Sequence, residues 1–189
     1  MRMGHLLRAG LVAWLVLTAG CATTPPPGLP SAAWREAFHL VGRVSVRQGE
    51  EGFSGGLDWW HRPGGDELEI LTPLGQGVAR LIRDGDGIAL TTADGVVHRA
   101  PDAESLTRRL LGWGLPLDFL AHWVQARPAP GPVDGLRRDG EGRIARLEQQ
   151  GWRIEYGAWR AAPDGALPGR IDVEGHGLRL KLVVDAWEP

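Results

Sequence analysis

The chain has 189 residues, a length that suits one globular domain with an extension. It carries 21 Lys and Arg against 23 Asp and Glu, and this net charge of −2 argues against the positive surface that nucleic-acid binding requires. With 28 Gly, 14 Pro and 9 Trp but only 3 Phe and 1 Tyr, the composition favours short strands joined by turns over long helices.

Residues 1–20 have the organisation of a secretory signal peptide. Arg2 and Arg8 flank its start, the apolar run Ala9–Leu17 follows, and small residues end it. The run is too short to cross the roughly 30 Å hydrocarbon core of a bilayer as a helix. We therefore expect this segment to direct export and to be removed.

Cys21 is the only cysteine in the chain, so it cannot form an internal disulfide. The residues before it resemble a bacterial lipobox, although Thr18 stands where that motif prefers leucine. The resemblance implies that Cys21 is acylated, and Ala22, which is not aspartate, permits sorting to the outer membrane. An ordinary secreted protein with a spare thiol is the alternative. Residues 21–33 are predicted to be the acylated cysteine and a proline-rich tether, and residues 34–189 the domain that it carries.

The domain is predicted to begin with a short helix and to continue as strands. Ser31 is a suitable N-cap for a helix that places Trp34 and Phe38 on one face. After it, apolar residues alternate with polar ones, which is the pattern of strands with one buried face. Turn sequences such as Asp84–Gly87 separate the strands. The predicted strands of this half cover residues 40–47, 53–59, 67–72, 78–83, 88–92 and 96–99.

Two predicted helices interrupt the strands. Asp102 caps the first helix and Gly112 ends it, whereas Pro116 opens a second helix in which Leu120 and Val124 share a face. A proline-rich irregular segment follows, and then a hairpin turn at residues 140–142. The strand pattern returns over residues 152–156, 170–174 and 178–185. Because the connections are short, we expect a mainly β, antiparallel fold with a helical insert.

Some patterns that carry chemistry in other proteins occur without their usual context. Gly52–Gly56 matches the G-x-S-x-G pattern of serine esterases, with Ser54 as the nucleophile, but that motif requires a helix after it and here a strand follows. An esterase that uses Ser54 is therefore the less favoured alternative function. The glycines of the 140–142 turn lack the strand and helix of a dinucleotide-binding loop. Scattered histidines without a second cysteine predict no metal site.

One loop has an apolar tip where loop tips are normally polar. It joins two predicted strands through Pro73, Leu74 and Gly75. Leu74 either folds back onto the core or is exposed to contact something outside the domain.

Taken together, these residues resemble the LolB family of outer-membrane lipoprotein receptors from Cys21 to the end of the chain. The Pro73–Gly75 loop and the stretch Leu110–Trp123 are the most specific parts of the resemblance. The other matching positions are Trp34, Gly42, Arg43, residues 53–55 with Trp59, Leu71, Thr72, residues 151–152 with Tyr156, and residues 180–182 before Trp187.

The resemblance implies a half-open antiparallel β barrel in which the internal helical insert covers an apolar cavity. It implies a receptor and not an enzyme, lipid-anchored at the periplasmic face of the outer membrane, without nucleotide hydrolysis. The expected partners are a LolA-type periplasmic carrier, triacylated lipoprotein cargo and the inner leaflet of the outer membrane. A monomer is expected, with no nucleic-acid partner, no metal and no cofactor apart from the covalent lipid on Cys21. A lipoprotein of similar fold that carries glycolipid or phospholipid is the alternative.

An apolar cavity suits this function because acyl chains cost about 0.8 kcal/mol per methylene to expose to water, so cargo must move under cover. The resemblance also implies that Leu74, with Pro73 and Gly75, enters the membrane and releases cargo. The apolar faces of three strands and two tryptophans of the insert are the candidate lining of the acyl-chain cavity. The predicted lining consists of Phe53, Leu57, Trp59, Trp113, Trp123, Trp152, Ile154, Tyr156, Leu178, Leu180 and Leu182.

Overall fold

The computed structural model describes residues 29–188. The predicted signal peptide, Cys21 and the first part of the tether lie outside the described residues. The elements are β1 (Phe38–Gln48), β2 (Glu51–Arg62), β3 (Gly65–Leu71), β4 (Gly77–Asp84), β5 (Gly87–Thr92), β6 (Val97–Ala100), α1 (Ala103–Leu111), α2 (Leu117–Trp123), β7 (Gly135–Arg138), β8 (Ile144–Gln149), β9 (Trp152–Gly157), β10 (Arg160–Ala162), β11 (Gly165–Leu167), β12 (Arg170–Gly175) and β13 (Leu178–Glu188).

The described chain is built on one antiparallel sheet with eleven strands in the order β6-β5-β4-β3-β2-β1-β13-β12-β9-β8-β7. Strands β6 and β7 form its two edges, and the helices α1 and α2 connect them along the chain. Apolar residues of both helices, including Leu106 and Leu120, belong to the same buried cluster as the inward faces of the strands. The mainly β class and the half-open barrel covered by a helical insert are therefore confirmed.

Alternation of apolar and polar residues decides which face of each strand is buried. In β13, Leu178, Leu180 and Leu182 are buried while Arg179 and Lys181 between them are exposed. In β2, the adjacent residues Trp59 and Trp60 leave the predicted register open by one residue, and the structure decides it: Trp59 is 1% exposed and Trp60 41% exposed. Trp59 therefore faces the core and Trp60 faces outward.

Both helices of the insert begin where the sequence predicts, and α1 also ends at the predicted Gly112. The Asp102 carboxylate accepts a hydrogen bond from the Ser105 N–H at 2.7 Å, as an N-cap does. Gly112 follows the last residue of α1 with a φ of +83°, a left-handed conformation that favours glycine. Pro116 precedes the first residue of α2.

The helix predicted after Ser31 is wrong. Ser31 forms an isolated bridge with Ala166, and residues 32–35 have no regular secondary structure. The backbone N–H groups that a helix would use find distant partners instead: Ala32 donates to the Ala166 carbonyl at 2.8 Å, and Ala33 donates to the Asp164 carboxylate at 2.9 Å. Tertiary hydrogen bonds therefore override the local capping signal.

Two hairpins add strands that the sequence pattern did not indicate. The predicted turn at residues 140–142 is present, but it connects the strands β7 and β8. The short strands β10 and β11 form a separate two-stranded sheet. In β7, Leu136 is the middle of a mostly exposed run, so the alternation that marks a half-buried strand is missing.

Candidate functional site

An apolar cavity lies between the concave face of the sheet and the helical insert, and it is called the inner cavity below. Every residue that lines it has an apolar or aromatic side chain. The sheet contributes residues from β1, β2, β3, β12 and β13, and the insert contributes α2 and the connection before it. The lining residues are Val44, Leu57, Trp59, Leu68, Ile70, Trp113, Leu115, Leu120, Val124, Ile171, Val173, Leu180 and Leu182.

The inner cavity is almost closed in this conformation. Its volume is about 40 Å³, whereas pockets that bind small molecules usually measure about 300–1,000 Å³. A space of this size does not hold an acyl chain, so binding requires the cavity to widen. Its insert side is formed by Trp113, Leu115, Leu120 and Val124.

A second cavity adjoins the first at the connection between the two helices, and it is called the outer cavity below. It has a volume of about 110 Å³, and its lining is mixed: Val46, Phe53, Leu111 and Trp113 are apolar, whereas Gln48 and Glu51 are polar. Trp113 is a lining residue of both cavities.

The predicted lining residues fall into three groups. Leu57, Trp59, Trp113, Leu180 and Leu182 line the inner cavity, and Phe53 lines the outer one. The remaining predicted residues line neither cavity: Trp123, Trp152, Ile154 and Leu178 are buried in the core, and the partly buried Tyr156 packs against it. Burial raises the pKa of the Tyr156 hydroxyl, which has no hydrogen-bond partner among the described residues.

Several lining residues were missed although the sequence carries a signal for them. Leu68 and Ile70 alternate within β3, and Ile171 and Val173 alternate within β12, in the same way as the predicted residues do. Their strands are neighbours of the chosen ones in the sheet. The alternation was therefore sufficient to place these side chains on the concave face, and only the strand order was needed to place them at the cavity.

The two ends of α2 are held by different interactions. At the C-terminal end, the indole N–H of Trp123 donates to the Gln149 side-chain oxygen at 3.0 Å, and the Gln149 amide donates to the Ala129 carbonyl at 2.8 Å. Gln149 is fully buried. These bonds are shielded from water, so this end is firmly attached.

The N-terminal end of α2 is held by an ion pair at the surface. Arg83 of β4 donates to Asp118 of α2 and also to Asp66 of β3. The Asp118 side chain is largely exposed, and an ion pair with an exposed partner contributes little stability. Buried contacts hold this end as well, because Leu117 is 2% exposed and the Leu115 N–H donates to the Thr107 hydroxyl at 2.8 Å.

Asp66 is the centre of a buried polar cluster beneath this ion pair. It accepts hydrogen bonds from the Trp59 indole at 2.8 Å and from His61 Nδ1 at 2.7 Å. Burial by itself would raise the pKa of Asp66, but the hydrogen bonds from His61 and Trp59 and the charge of Arg83 outweigh it, so the pKa lies below its usual range. The cluster keeps Trp59 in one orientation at the wall of the inner cavity.

The Leu74 loop is a tight hairpin connection whose tip points into solvent. The Thr72 N–H donates to the Gln76 carbonyl at 2.7 Å, and the Gly75 N–H donates to the Thr72 carbonyl at 2.9 Å. Gly75 has a φ of +82°, which fits the left-handed position of a three-residue hairpin loop. The Leu74 side chain is 89% exposed, so the alternative in which it folds back onto the core is wrong.

The G-x-S-x-G pattern and the scattered histidines do not form a catalytic or metal site in the described part of the chain. Ser54 lies within β2, and its hydroxyl donates to the Ser45 hydroxyl at 3.0 Å instead of contacting a histidine. Residues 29–188 contain no group of three His, Cys, Asp or Glu side chains placed to hold a metal ion. Nor do these residues include a helix with the length and apolar character needed to span a bilayer.

The chain matches the model of the family described as "Outer membrane lipoprotein LolB" over residues 36–187. It is 41% identical over 175 residues to an outer-membrane lipoprotein LolB of Azoarcus sp., covering 91% of this chain and 90% of that protein. It is 40% identical over 190 residues to that of Thiobacillus denitrificans, covering 98% of each. Among solved structures, a LolA superfamily protein from Nitrosomonas europaea has a TM-score of 0.53 at 10% identity and covers 84% of this chain and 88% of its own, a likeness that concerns the fold alone.

Proposed function

This chain belongs to the LolB family of outer-membrane lipoproteins, and we propose that its inner cavity and its Leu74 loop carry out separate steps of lipoprotein transfer. The chain is an outer-membrane receptor that accepts triacylated lipoproteins from the periplasmic carrier LolA and inserts them into the inner leaflet of the outer membrane. It is not an enzyme, and the transfer involves no nucleotide hydrolysis.

The inner cavity holds the acyl chains of the cargo. Its lining is apolar throughout, and contacts of this kind are non-directional, so they suit acyl chains attached to proteins of any sequence. The cavity widens when the insert moves away from the sheet. The buried bonds of Gln149 to Trp123 and Ala129 hold the C-terminal end of α2 during this motion.

The Leu74 loop contacts the membrane and triggers release. The observation that carries this proposal is the exposed leucine at the tip of a hydrogen-bonded loop, because the loop geometry prevents it from burying that side chain in its own domain. Insertion of Leu74 into the lipid holds the domain at the surface while the acyl chains leave the cavity. Since the receptor uses no energy source, transfer proceeds because affinity rises from carrier to receptor to bilayer.

Cys21 attaches the domain to the membrane. The lipid on this residue, which precedes the described part of the chain, keeps the receptor at the periplasmic face of the outer membrane. This anchor and the Leu74 loop are separate attachments, since one is covalent lipid and the other is a single side chain.

The deciding experiment follows a triacylated lipoprotein from LolA to this protein and then to vesicles, with the cargo located by sedimentation. We expect cargo to appear first on the receptor and then in the vesicle pellet. A receptor that carries phospholipid but takes no lipoprotein from LolA would contradict the function. A substitution that fills the inner cavity, Leu120→Trp, should abolish acceptance, whereas the exposed Leu136→Trp should not.

A further inference from the structure

The first residues of β2 form an open strand edge. Strand β2 pairs with β1 from Glu51 to His61, but it pairs with β3 only from Gly56 onward. Residues 51–55 thus have a strand partner on one side only among the described residues. Beyond Leu71 the chain leaves the position next to β2 and turns into the Leu74 loop.

The pairing register of β2 determines which of its backbone N–H and C=O groups face the open side. Two-residue turns flank β2 at residues 49–50 and 63–64, so Glu51 forms a hydrogen-bonded pair with Gln48, and Arg62 forms one with Gly65. Hydrogen bonding alternates along an antiparallel strand, so odd-numbered residues of β2 bond to β1 and even-numbered ones face β3. Gly52 and Ser54 therefore direct their N–H and C=O groups to the side where no strand runs, and both residues are exposed.

This open edge runs along the side of the outer cavity. Phe53, between the two free residues, turns its side chain inward, where it lines the outer cavity with Trp113. On the other face of the strand, Ser54 lines a surface pocket of about 470 Å³ together with Pro73 and Gly75 of the Leu74 loop. A ligand whose acyl chains pass Trp113 would leave the cavity next to this edge.

We infer that residues 51–54 of β2 bind the extended peptide that follows the acylated cysteine of the cargo, by adding it to the sheet as a short strand. This inference rests on the proposed function, because the acyl chains in the cavity bring that peptide to the edge. Main-chain hydrogen bonds do not depend on the side chains of the bound peptide, so this mode of binding suits cargo proteins whose sequences differ. Exposed edges are often blocked by proline or by charged side chains, lysine above all. Residues 51–54 contain neither proline nor lysine, and their one charged residue is Glu51 at the end of the strand.

The cargo peptide fits this edge better than the edge strand of another folded protein does. Only Gly52 and Ser54 offer free groups, so the edge accommodates a segment of a few residues. The Leu74 loop limits it at one end and the turn at Gly49 limits it at the other. A disordered peptide tethered by its own lipid needs only a few hydrogen bonds, because its effective concentration at the edge is high.

The test compares two probes and two variants. The probes are a triacylated cysteine amide without a peptide and the same group followed by five residues. Ser54→Pro removes the free N–H at a position where an edge strand tolerates proline, whereas Ser54→Ala removes the hydroxyl and keeps the N–H. We expect the original chain and Ser54→Ala to bind the peptide-bearing probe about tenfold more tightly than the other, and Ser54→Pro to lose about fivefold of that preference.

Amide hydrogen exchange on a chain with the original Ser54 provides a second measurement, independent of whether the proline variant folds. With Cys21→Ala as a water-soluble background, the peptide-bearing probe should slow exchange at Gly52 and Ser54, and the probe without a peptide should not. Equal affinity for both probes with unchanged exchange overturns the inference but leaves the proposed function intact. Failure to bind either probe overturns both. If Ser54→Pro slows only transfer from LolA, with probe binding unchanged, the edge binds the carrier and not the cargo.

Discussion

Replacement of Leu74 by glutamate should separate acceptance of cargo from its release. The side chain is 89% exposed and makes no core contact, so Leu74→Glu should change the free energy of unfolding by less than about 0.5 kcal/mol. Burying a leucine side chain in the membrane contributes about 1.5–3 kcal/mol to the binding free energy, and a glutamate at this position does not make that contribution. At 1.4 kcal/mol for each factor of ten, delivery to vesicles should slow by about 10- to 150-fold.

The assay measures both steps with the same cargo. LolA loaded with a triacylated lipoprotein is mixed with the variant, and cargo on the receptor and in the vesicle pellet is followed over time. The matched control is Leu136→Glu, which places the same charge on an exposed leucine of the edge strand β7. The proposal is refuted if Leu74→Glu loads vesicles as fast as the original chain, or if Leu136→Glu slows delivery equally.

Three further outcomes are expected. Cys21→Ala should move the protein from the membrane to the soluble fraction while cargo binding persists; recovery of this variant with the membrane would contradict the anchor. Asp66→Asn should lower the free energy of unfolding by about 1–3 kcal/mol, because Arg83 loses its buried partner and keeps only the ion pair with Asp118, and thermal or denaturant unfolding would detect this change. Burial, together with the nearby His61, lowers the pKa of His122 below the ordinary 6.5. The unfolded chain therefore binds this proton more tightly than the folded chain, and the free energy of unfolding should fall as the pH drops below about 6.5. The loss should shrink in His122→Gln, and an unchanged pH dependence in that variant would rule out this cause.

The small volume of the inner cavity affects how cargo is loaded. With a cavity of only about 40 Å³, the apolar lining is largely shielded from the periplasm in this conformation. The same closure means that binding must include the cost of moving the insert.

Local patterns in the sequence were sufficient for most of the elements and for the direction in which their side chains point. Alternation placed Leu180 and Leu182 on the concave face, and the chemistry of Asp102 and Gly112 set both ends of α1. These features depend on residues a few positions apart, so a single sequence contains the information. The apolar tip of the Leu74 loop is of the same kind, although its exposure was settled only by the hydrogen bonds of the loop.

Other features depended on partners far away in the chain. The segment after Ser31 is not helical because Asp164 and Ala166 take its N–H groups, and Trp59 rather than Trp60 is buried because β1 and β3 set the register of β2. The lining of the inner cavity required the order of the strands, and the open edge at Gly52 required the point at which β3 stops pairing. The sequence thus determined the elements and their apolar faces, since these follow from local backbone preference and periodicity. Only the tertiary structure decided which faces meet, how tightly the insert closes over them and which backbone groups remain free, because each of these depends on contacts between residues distant in sequence.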